Sequence, residues 1–352
     1  MNRRIPFSAK EFEKMDEKPG FLGGPGVAVL NTPVSGRENM AALYHEKRPY
    51  WLPQNSDSTM IIPDIFNDRL GRGGPAGITD SFGIEWEYIE VTGGSIVRPG
   101  EPLLKDANDW KDVIKIPDIN TWDWAGEAER IKLDTRFSTV MAFTNGFWFE
   151  RLISFMDFAE AAVALIDPDQ KGAIKELFAA TTDLGIKLVD KFIEHWPGID
   201  GFDIHDDWGA QKDPFFSKET AYELFVPYMK ELTDHIHSKG RYATLHSCGH
   251  NERRVECFID GGFDKWDPQD MNNTWELYEN FGDRIVISVV PELFNPAHAS
   301  EAEQRQHARD FVDRFCQPGK PSTINLWSMG EAATPAFTTE LYEYSRRHYF
   351  KQ

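Results

Sequence analysis

Short apolar runs alternate with longer amphipathic segments from about residue 138 to the end of the sequence. In the clearest amphipathic segment, 218–239, Ser217 can cap the first turn, one face is apolar, and Gly240 can end the helix in the left-handed conformation. Strands that alternate with helices are typical of a parallel sheet with crossover helices. The apolar runs predict six strands, at 138–143, 199–204, 242–246, 263–266, 285–290 and 323–327.

The first part of the chain has a less regular pattern, with Gly/Pro-rich stretches at 19–26 and 71–76. The segment 80–90 predicts a strand pair or an edge strand. A closed barrel of eight strands needs one or two further strands, and these must come from 48–62. We therefore expect an α/β protein with a single (β/α)8 TIM barrel over residues 41–352 and an irregular N-terminal extension over residues 1–40.

Composition and charge narrow the class of protein. The 352 residues are 41% hydrophobic, which fits a globular enzyme and excludes a disordered chain, and the three cysteines are too few for a disulfide framework. The formal net charge of −19 disfavours nucleic acid and anionic membranes as partners, because their phosphates require a basic surface. The first residues lack the apolar stretch of a signal peptide, so we expect a cytoplasmic location.

His246 and Cys248 lie two positions apart at the end of a predicted strand, so their side chains should face the same way. An imidazole and a thiol together suit zinc, which in catalytic sites takes about three protein ligands. The simpler alternative is a buried histidine beside a small buried thiol. Glu292, which follows the strand at 285–290, is the preferred third ligand, and the alternatives left open are His205, Asp206 and His250.

Polar and aromatic residues follow other predicted strands, where a barrel places its reacting groups. His205 and Asp206 follow the strand at 199–204 and are the candidate catalytic proton donors. The adjacent Asp207 fits a metal ligand, a general base or a cap on the next loop. Aromatic side chains after strands can form the wall of a substrate pocket, although most aromatics pack in cores. The candidate substrate-binding residues are Asn145, Phe147, Trp148, Trp208, Trp327 and Met329.

Four segments, spread over residues 40–350, resemble the uroporphyrinogen decarboxylase superfamily. They are Asp80-Ser-Phe-Gly-Ile-Glu-Trp, Phe149-Glu-Arg, Gly201-Phe-Asp-Ile-His-Asp-Asp-Trp-Gly and Leu245-His-Ser-Cys-Gly. The last two, in this order and spacing, are the most specific. The resemblance implies a (β/α)8 barrel and one of two reactions: decarboxylation of uroporphyrinogen, or transfer of a methyl group between a small molecule and a corrinoid protein.

The methyltransferase branch of this superfamily binds zinc with a His-x-Cys pair and a later Cys, and His246 with Cys248 match the pair. Where the later Cys is expected, this chain has Ser328 and Met329, so either an oxygen or nitrogen ligand substitutes or no metal binds. The decarboxylase branch has an N-terminal Arg-Gln-Ala-Gly-Arg-Tyr segment whose arginines bind the substrate carboxylates. This chain lacks such a segment, which disfavours decarboxylation of a porphyrinogen.

The resemblance thus predicts the methyltransferase component of a corrinoid-dependent demethylation system. Such an enzyme moves a methyl group from a methoxylated or methylated small molecule to a corrinoid protein. The implied cofactors are zinc in this chain and a corrinoid on the partner, and a homodimer is a further expectation. Two alternatives remain: a decarboxylase of a small or porphyrinogen-like carboxylic acid, and a non-catalytic barrel that binds small molecules.

Overall fold

The computed structural model describes residues 5–20, 26–66, 77–90, 94–98, 100 and 102–351 of the protein. The chain divides into two units. Unit 1 comprises Met1–Met60, Asp134–Thr139 and Lys265–Gln352, and unit 2 comprises Ile61–Leu133 and Val140–Asp264. The division at residue 40 into an extension and a barrel stays a prediction. The Gly/Pro-rich stretch at 71–76, and residues 21–25 of the other one, lie outside the described residues.

Strands and helices alternate over the second part of the described chain. The strands are β1 (Lys14–Lys18), β2 (Val27–Leu30), β3 (Ser58–Ile61), β4 (Ile78–Thr79), β5 (Glu85–Ile89), β6 (Gly94–Val97), β7 (Ser138–Phe143), β8 (Ile199–His205), β9 (Tyr242–His246), β10 (Lys265–Asp267), β11 (Val286–Val289) and β12 (Thr323–Ile324). The helices are α1 (Gly36–Glu46), α2 (Trp110–Val113), α3 (Trp124–Arg130), α4 (Phe149–Met156), α5 (Phe158–Ala164), α6 (Lys171–His195), α7 (Lys218–Leu224), α8 (Val226–Ser238), α9 (Val255–Asp260), α10 (Thr274–Phe281), α11 (Glu301–Phe315) and α12 (Pro335–Lys351).

Seven of the described strands, β3 and β7 to β12, belong to parallel sheet structure. In unit 1, β11 pairs in parallel with β10 and β12. In unit 2, β8 pairs in parallel with β9, with Gly201 opposite Tyr242 and His205 opposite His246. The predicted α/β class is therefore confirmed. The segment 48–62 supplies one strand, β3, so the described parallel strands number seven, and a closed barrel of eight stays a prediction.

The segment 80–90 was predicted to contain a strand pair or an edge strand, but it contains a single strand, β5, which lies between β4 and β6 in a three-stranded sheet. β4 and β5 are antiparallel, and β5 also pairs with β6. In the turn between β4 and β5, the Asp80 carboxylate accepts the backbone N–H groups of Phe82 and Ile84. These bonds satisfy amides that the turn leaves without a partner in the ladder.

The helix predicted over 218–239 is two helices, α7 and α8, so the prediction of a single helix was wrong. The chain breaks at Phe225, two residues before Pro227, which lies in the first turn of α8. Proline has no N–H to donate to the preceding turn, and its ring clashes with the carbonyl four residues earlier. The predicted ends are confirmed: the Ser217 hydroxyl accepts the N–H of Thr220, and Gly240 follows α8 with a φ of +67°.

The interior of unit 2 is packed with aromatic rings. Phe178 on α6 contacts Phe225 and Tyr228, which joins α6 to the helices that follow β8. Burial of rings of this size supplies much of the stability of a core. None of the helices in the described part of the chain combines the length and the apolar character that a membrane span requires.

Candidate metal centre

The pairing of β8 with β9 positions the side chains of the candidate centre. His246 is the last residue of β9 and lies opposite His205, the last residue of β8. Alternate residues of an extended chain face the same side, so Cys248 follows His246 on one face. The Nε2 atom of His246 lies 3.1 Å from the Sγ atom of Cys248, so the structure brings this predicted pair together.

Asp207 is the third member of the cluster. One ligand atom each from Asp207, His246 and Cys248 lies within 4.8 Å of the other two, and all three residues are half-buried. The backbone N–H of Cys248 donates to Oδ1 of Asp207 at 2.7 Å, which holds the carboxylate against the thiol loop. A thiolate, an imidazole and a carboxylate are the three ligand types that zinc accepts, and three protein ligands leave one position open. The residues present therefore fit a catalytic zinc ion.

The sequence alone did not single out Asp207, which fitted a cap or a general base as well as a ligand. The missing information was the register of the two strands. With His205 opposite His246, the residue two positions after His205 lies opposite the residue two positions after His246. Parallel pairing therefore places Asp207 beside Cys248. Asp207 could have been predicted as the third ligand if the register of β8 against β9 had been known.

His205 lies next to the cluster and is oriented by a buried carboxylate. Its ring centroid is 4.6 Å from that of His246, and its Nε2 atom is 3.3 Å from Oδ2 of Asp203. Asp203 also accepts the hydroxyl of Thr244 on β9. Burial opposes the charge of Asp203, but the hydrogen bond from His205, the charge of His205 and the Thr244 hydroxyl hold its pKa below the ordinary value. Asp203 was not among the predicted site residues.

Asp206, the other candidate proton donor, is fully buried. Its carboxylate accepts the backbone N–H groups of Phe149 and Glu150 and the indole N–H of Trp208, at 3.2, 3.0 and 2.7 Å. Burial raises the pKa of Asp206 to about 7, although the Trp208 and Phe149 hydrogen bonds act in the opposite direction. Two of these donors belong to the first turn of α4, so Asp206 caps that helix from a neighbouring loop. Its assignment as a proton donor stays a prediction.

Asn145, a predicted substrate-binding residue, is buried beside an internal ion pair. In the amide orientation that satisfies both groups, its side-chain oxygen lies 3.1 and 3.0 Å from Nη1 and Nη2 of Arg151. Nη1 of Arg151 lies 3.4 Å from Oδ2 of Asp80, and the guanidinium also stacks over the ring of Phe82. Asn145 therefore binds Arg151 of α4, and Arg151 in turn contacts Asp80 in the turn between β4 and β5.

Three aromatic candidates for the pocket wall lie inside unit 2. Phe147 and Trp148 are buried against each other, and the indole N–H of Trp148 donates to the hydroxyl of Thr182 on α6. Trp208 is fully buried and packs on Phe225, among other rings. These contacts give all three side chains a packing role, and contact with a substrate stays a prediction for each of them.

The remaining candidates belong to unit 1. Glu292 follows β11, is exposed, and has its carboxylate 3.8 Å from Nδ1 of His307. Trp327 and Met329 lie in the short helical segment Trp327–Ala332 after β12, where Met329 is buried and 87% of Trp327 is exposed. Glu292 as a metal ligand, and Trp327 and Met329 as substrate-binding residues, stay predictions.

No protein-family model and no curated protein matches the sequence. Among solved structures, this chain is similar to a methyltransferase from Methanosarcina mazei. The alignment covers 84% of this chain and 81% of the methyltransferase, with 13% sequence identity and a TM-score of 0.53. A 2,3-dimethylmalate lyase of the PEP mutase/isocitrate lyase superfamily aligns over 86% of this chain and 84% of its own, with 11% identity. Its TM-score of 0.29 is too low to indicate a common fold. At these identities, the likeness to the methyltransferase shows a shared fold.

Proposed function

We propose that the protein is a methyltransferase that removes a methyl group from a methoxylated or methylated small molecule and delivers it to a corrinoid held by a partner protein. The observation that carries the proposal is the convergence of Asp207, His246 and Cys248, whose ligand atoms lie within 4.8 Å of one another. The His-x-Cys pair matches the resemblance to the methyltransferase branch. The fold shared with a solved methyltransferase supports the proposal as well, although a fold by itself does not determine a reaction.

Asp207 stands in this proposal where the resemblance places a second cysteine. Replacing one thiolate by a carboxylate gives a harder donor set with the same charge. When bound, a zinc ion in this site supplies a Lewis acid for the oxygen that leaves the methyl group. A harder set favours an oxygen leaving group, such as that of an ether, over activation of a thiol. Glu292 remains an alternative ligand.

The leaving oxygen also needs a proton, because an alkoxide or phenoxide is a poor leaving group. The methyl–oxygen bond breaks with its electron pair on the oxygen, the reduced corrinoid supplies the pair for the new bond, and the proton completes the alcohol. We assign the donor to His205, since its side chain is partly exposed beside His246 whereas Asp206 is fully buried. Asp203 orients His205 through a contact of 3.3 Å.

The test combines zinc binding with methyl transfer. Metal-free protein is titrated with zinc against a fluorescent chelator, and methylation of free cob(I)alamin by methoxylated aromatic compounds is followed by absorbance. We expect wild type to bind one zinc and to methylate cobalamin only when zinc is present. Cys248→Ala and Asp207→Ala should lose both properties, whereas Cys257→Ala should keep both, because Cys257 is a buried thiol on α9 outside the cluster.

Two outcomes would reject the proposal. If Cys248→Ala binds zinc and turns over substrate as well as wild type does, the assignment of the metal site is wrong. Release of carbon dioxide from a carboxylic acid without any cobalamin would instead support the decarboxylase.

A further inference from the structure

Ser247 occupies a special position between the two loops that carry the cluster. On its own loop it stands between His246 and Cys248. Across the strand pair, its hydroxyl donates to the carbonyl oxygen of Asp206 at 2.8 Å and accepts the N–H of Trp208 at 3.2 Å. One hydroxyl thus holds both neighbours of Asp207 while lying between the other two members of the cluster.

The hydroxyl of Ser247 has no capacity left for other partners. A serine hydroxyl can donate one hydrogen bond and accept two. The second acceptor position is filled by Nδ2 of Asn251 at 3.0 Å, and Nδ2 also donates to the carbonyl oxygen of Cys248 at 2.6 Å. Ser247 and Asn251 are both fully buried, so water does not compete for these bonds.

The backbones of the two loops also touch nearby. A Cβ atom on Gly209 would lie 2.5 Å from Oδ1 of Asn251, and the N–H of His250 donates to the carbonyl oxygen of Ala210 at 2.8 Å. The loops after β8 and β9 are therefore joined from Asp206 to Ala210 on one side and from Ser247 to Asn251 on the other. Hydrogen bonds from Ser247 and His250 join the two loops in addition to the bond from the N–H of Cys248 to Asp207.

We infer that Ser247 and Asn251 are positioning residues that set the distance from Asp207 to the His246–Cys248 pair and thereby the affinity and geometry of the metal site. This inference rests on the proposed function, which makes those three residues the ligands. Ser247 points away from the cluster because its neighbours on either side point toward it. It acts through the loop that carries Asp207 and has no contact with the ion. Removal of partners that orient metal ligands typically costs 10- to 100-fold in metal affinity.

The experiment compares two buried serines of unit 2. Ser247→Ala removes the hydroxyl between the loops, and Ser154→Ala removes a hydroxyl that donates only to the Arg151 carbonyl on the same helix, at 2.7 Å. Zinc affinity is measured by competition, and the cobalt(II)-substituted protein is examined for its ligand-field absorption and its thiolate-to-cobalt band. We expect Ser247→Ala to weaken zinc binding about 10- to 100-fold and to alter the cobalt spectrum. Ser154→Ala should leave both unchanged.

A wild-type affinity and cobalt spectrum in folded Ser247→Ala would overturn the inference. If that variant fails to fold, Asn251→Ala decides, because it removes one bond to the Ser247 hydroxyl and leaves those to Asp206 and Trp208. It should weaken zinc binding by a smaller factor, and an unchanged affinity overturns the inference. Asp207→Ala and Cys248→Ala in the same assay separate the two claims. If they bind zinc normally, the proposed function fails, whereas if they lose zinc while the Ser247 and Asn251 variants keep it, only the positioning role fails.

Discussion

The carbonyl oxygen of Gly209 lies so close to Gly249 that a Cβ atom on Gly249 would come within 2.0 Å of it. Gly249 also has a φ of +92°, which side chains rarely adopt. We therefore expect Gly249→Ala to force the loops after β8 and β9 apart and to lower the free energy of unfolding by about 3 kcal/mol. Urea denaturation measures this loss.

Gly240→Ala is the matched control for the Gly249 variant. Gly240 has a φ of +67°, but apart from its chain neighbours no atom of the described residues lies within 4 Å of a Cβ atom built there. This variant should lose only about 1 kcal/mol, the cost of the left-handed conformation. Equal losses in the two variants would show that the contact between Gly209 and Gly249 has no energetic weight.

Zinc should stabilise the folded protein by mass action. Free zinc at about 100 times its dissociation constant is expected to raise the free energy of unfolding by about 2.7 kcal/mol, and a chelator should reverse the gain. Cys248→Ala should show no such gain, because the cluster loses its sulfur ligand. Denaturation curves with zinc and with chelator measure both effects. An equal zinc-dependent gain in the two proteins would place the metal elsewhere.

A substitution of Trp327 can test substrate contact without a large effect on the stability of the fold. Because 87% of this residue is exposed, Trp327→Ala should change the free energy of unfolding by less than about 0.5 kcal/mol. Trp266→Ala in the same unit, where the side chain is fully buried, should cost about 3–5 kcal/mol. A rise in the KM of the methyl donor for Trp327→Ala would therefore report a lost contact with substrate. An unchanged KM would remove Trp327 from the pocket wall.

Asp57 should make stability depend on pH. Burial raises its pKa to about 6, although the N–H groups of Gln54 and Trp51 act in the opposite direction. The folded protein then binds this proton more tightly than the unfolded chain, so the contribution of Asp57 is present below pH 4 and is lost as pH rises through about 6. The change corresponds to about 3 kcal/mol. The difference in unfolding free energy between wild type and Asp57→Asn should fall by that amount from pH 4 to pH 7, and parallel pH profiles would contradict the assignment.

Local patterns predicted the elements that local physics determines. β7 and β9 have the bounds that the apolar runs indicated, since a strand of a parallel sheet is covered on both faces and its sequence is mostly apolar. The ends of the 218–239 segment followed from Ser217 and Gly240, but the break at Phe225 did not, because the apolar stripe continues through Pro227. The spacing of apolar residues indicates which side of a helix is buried, but it does not reveal that a proline such as Pro227 lacks a backbone N–H.

The candidate site was predictable only in part. His246 and Cys248 are close in sequence, so the alternation of a strand was enough to bring them together. Asp207 and Asp203 depend on the register between β8 and β9, which a single sequence does not contain. Trp208 looks the same in sequence whether it forms the wall of a pocket or packs in a core.

The candidate centre is divided between the ends of β8 and β9, which α7 and α8 separate in the chain. Its three atoms meet only after β8 and β9 have paired. If the proposed zinc site exists, coordination by all three residues requires that this pairing has formed during refolding. Cobalt absorbance can be followed during refolding together with the circular dichroism of the helices. The time at which the cobalt band appears would then report when β8 and β9 pair, relative to helix formation.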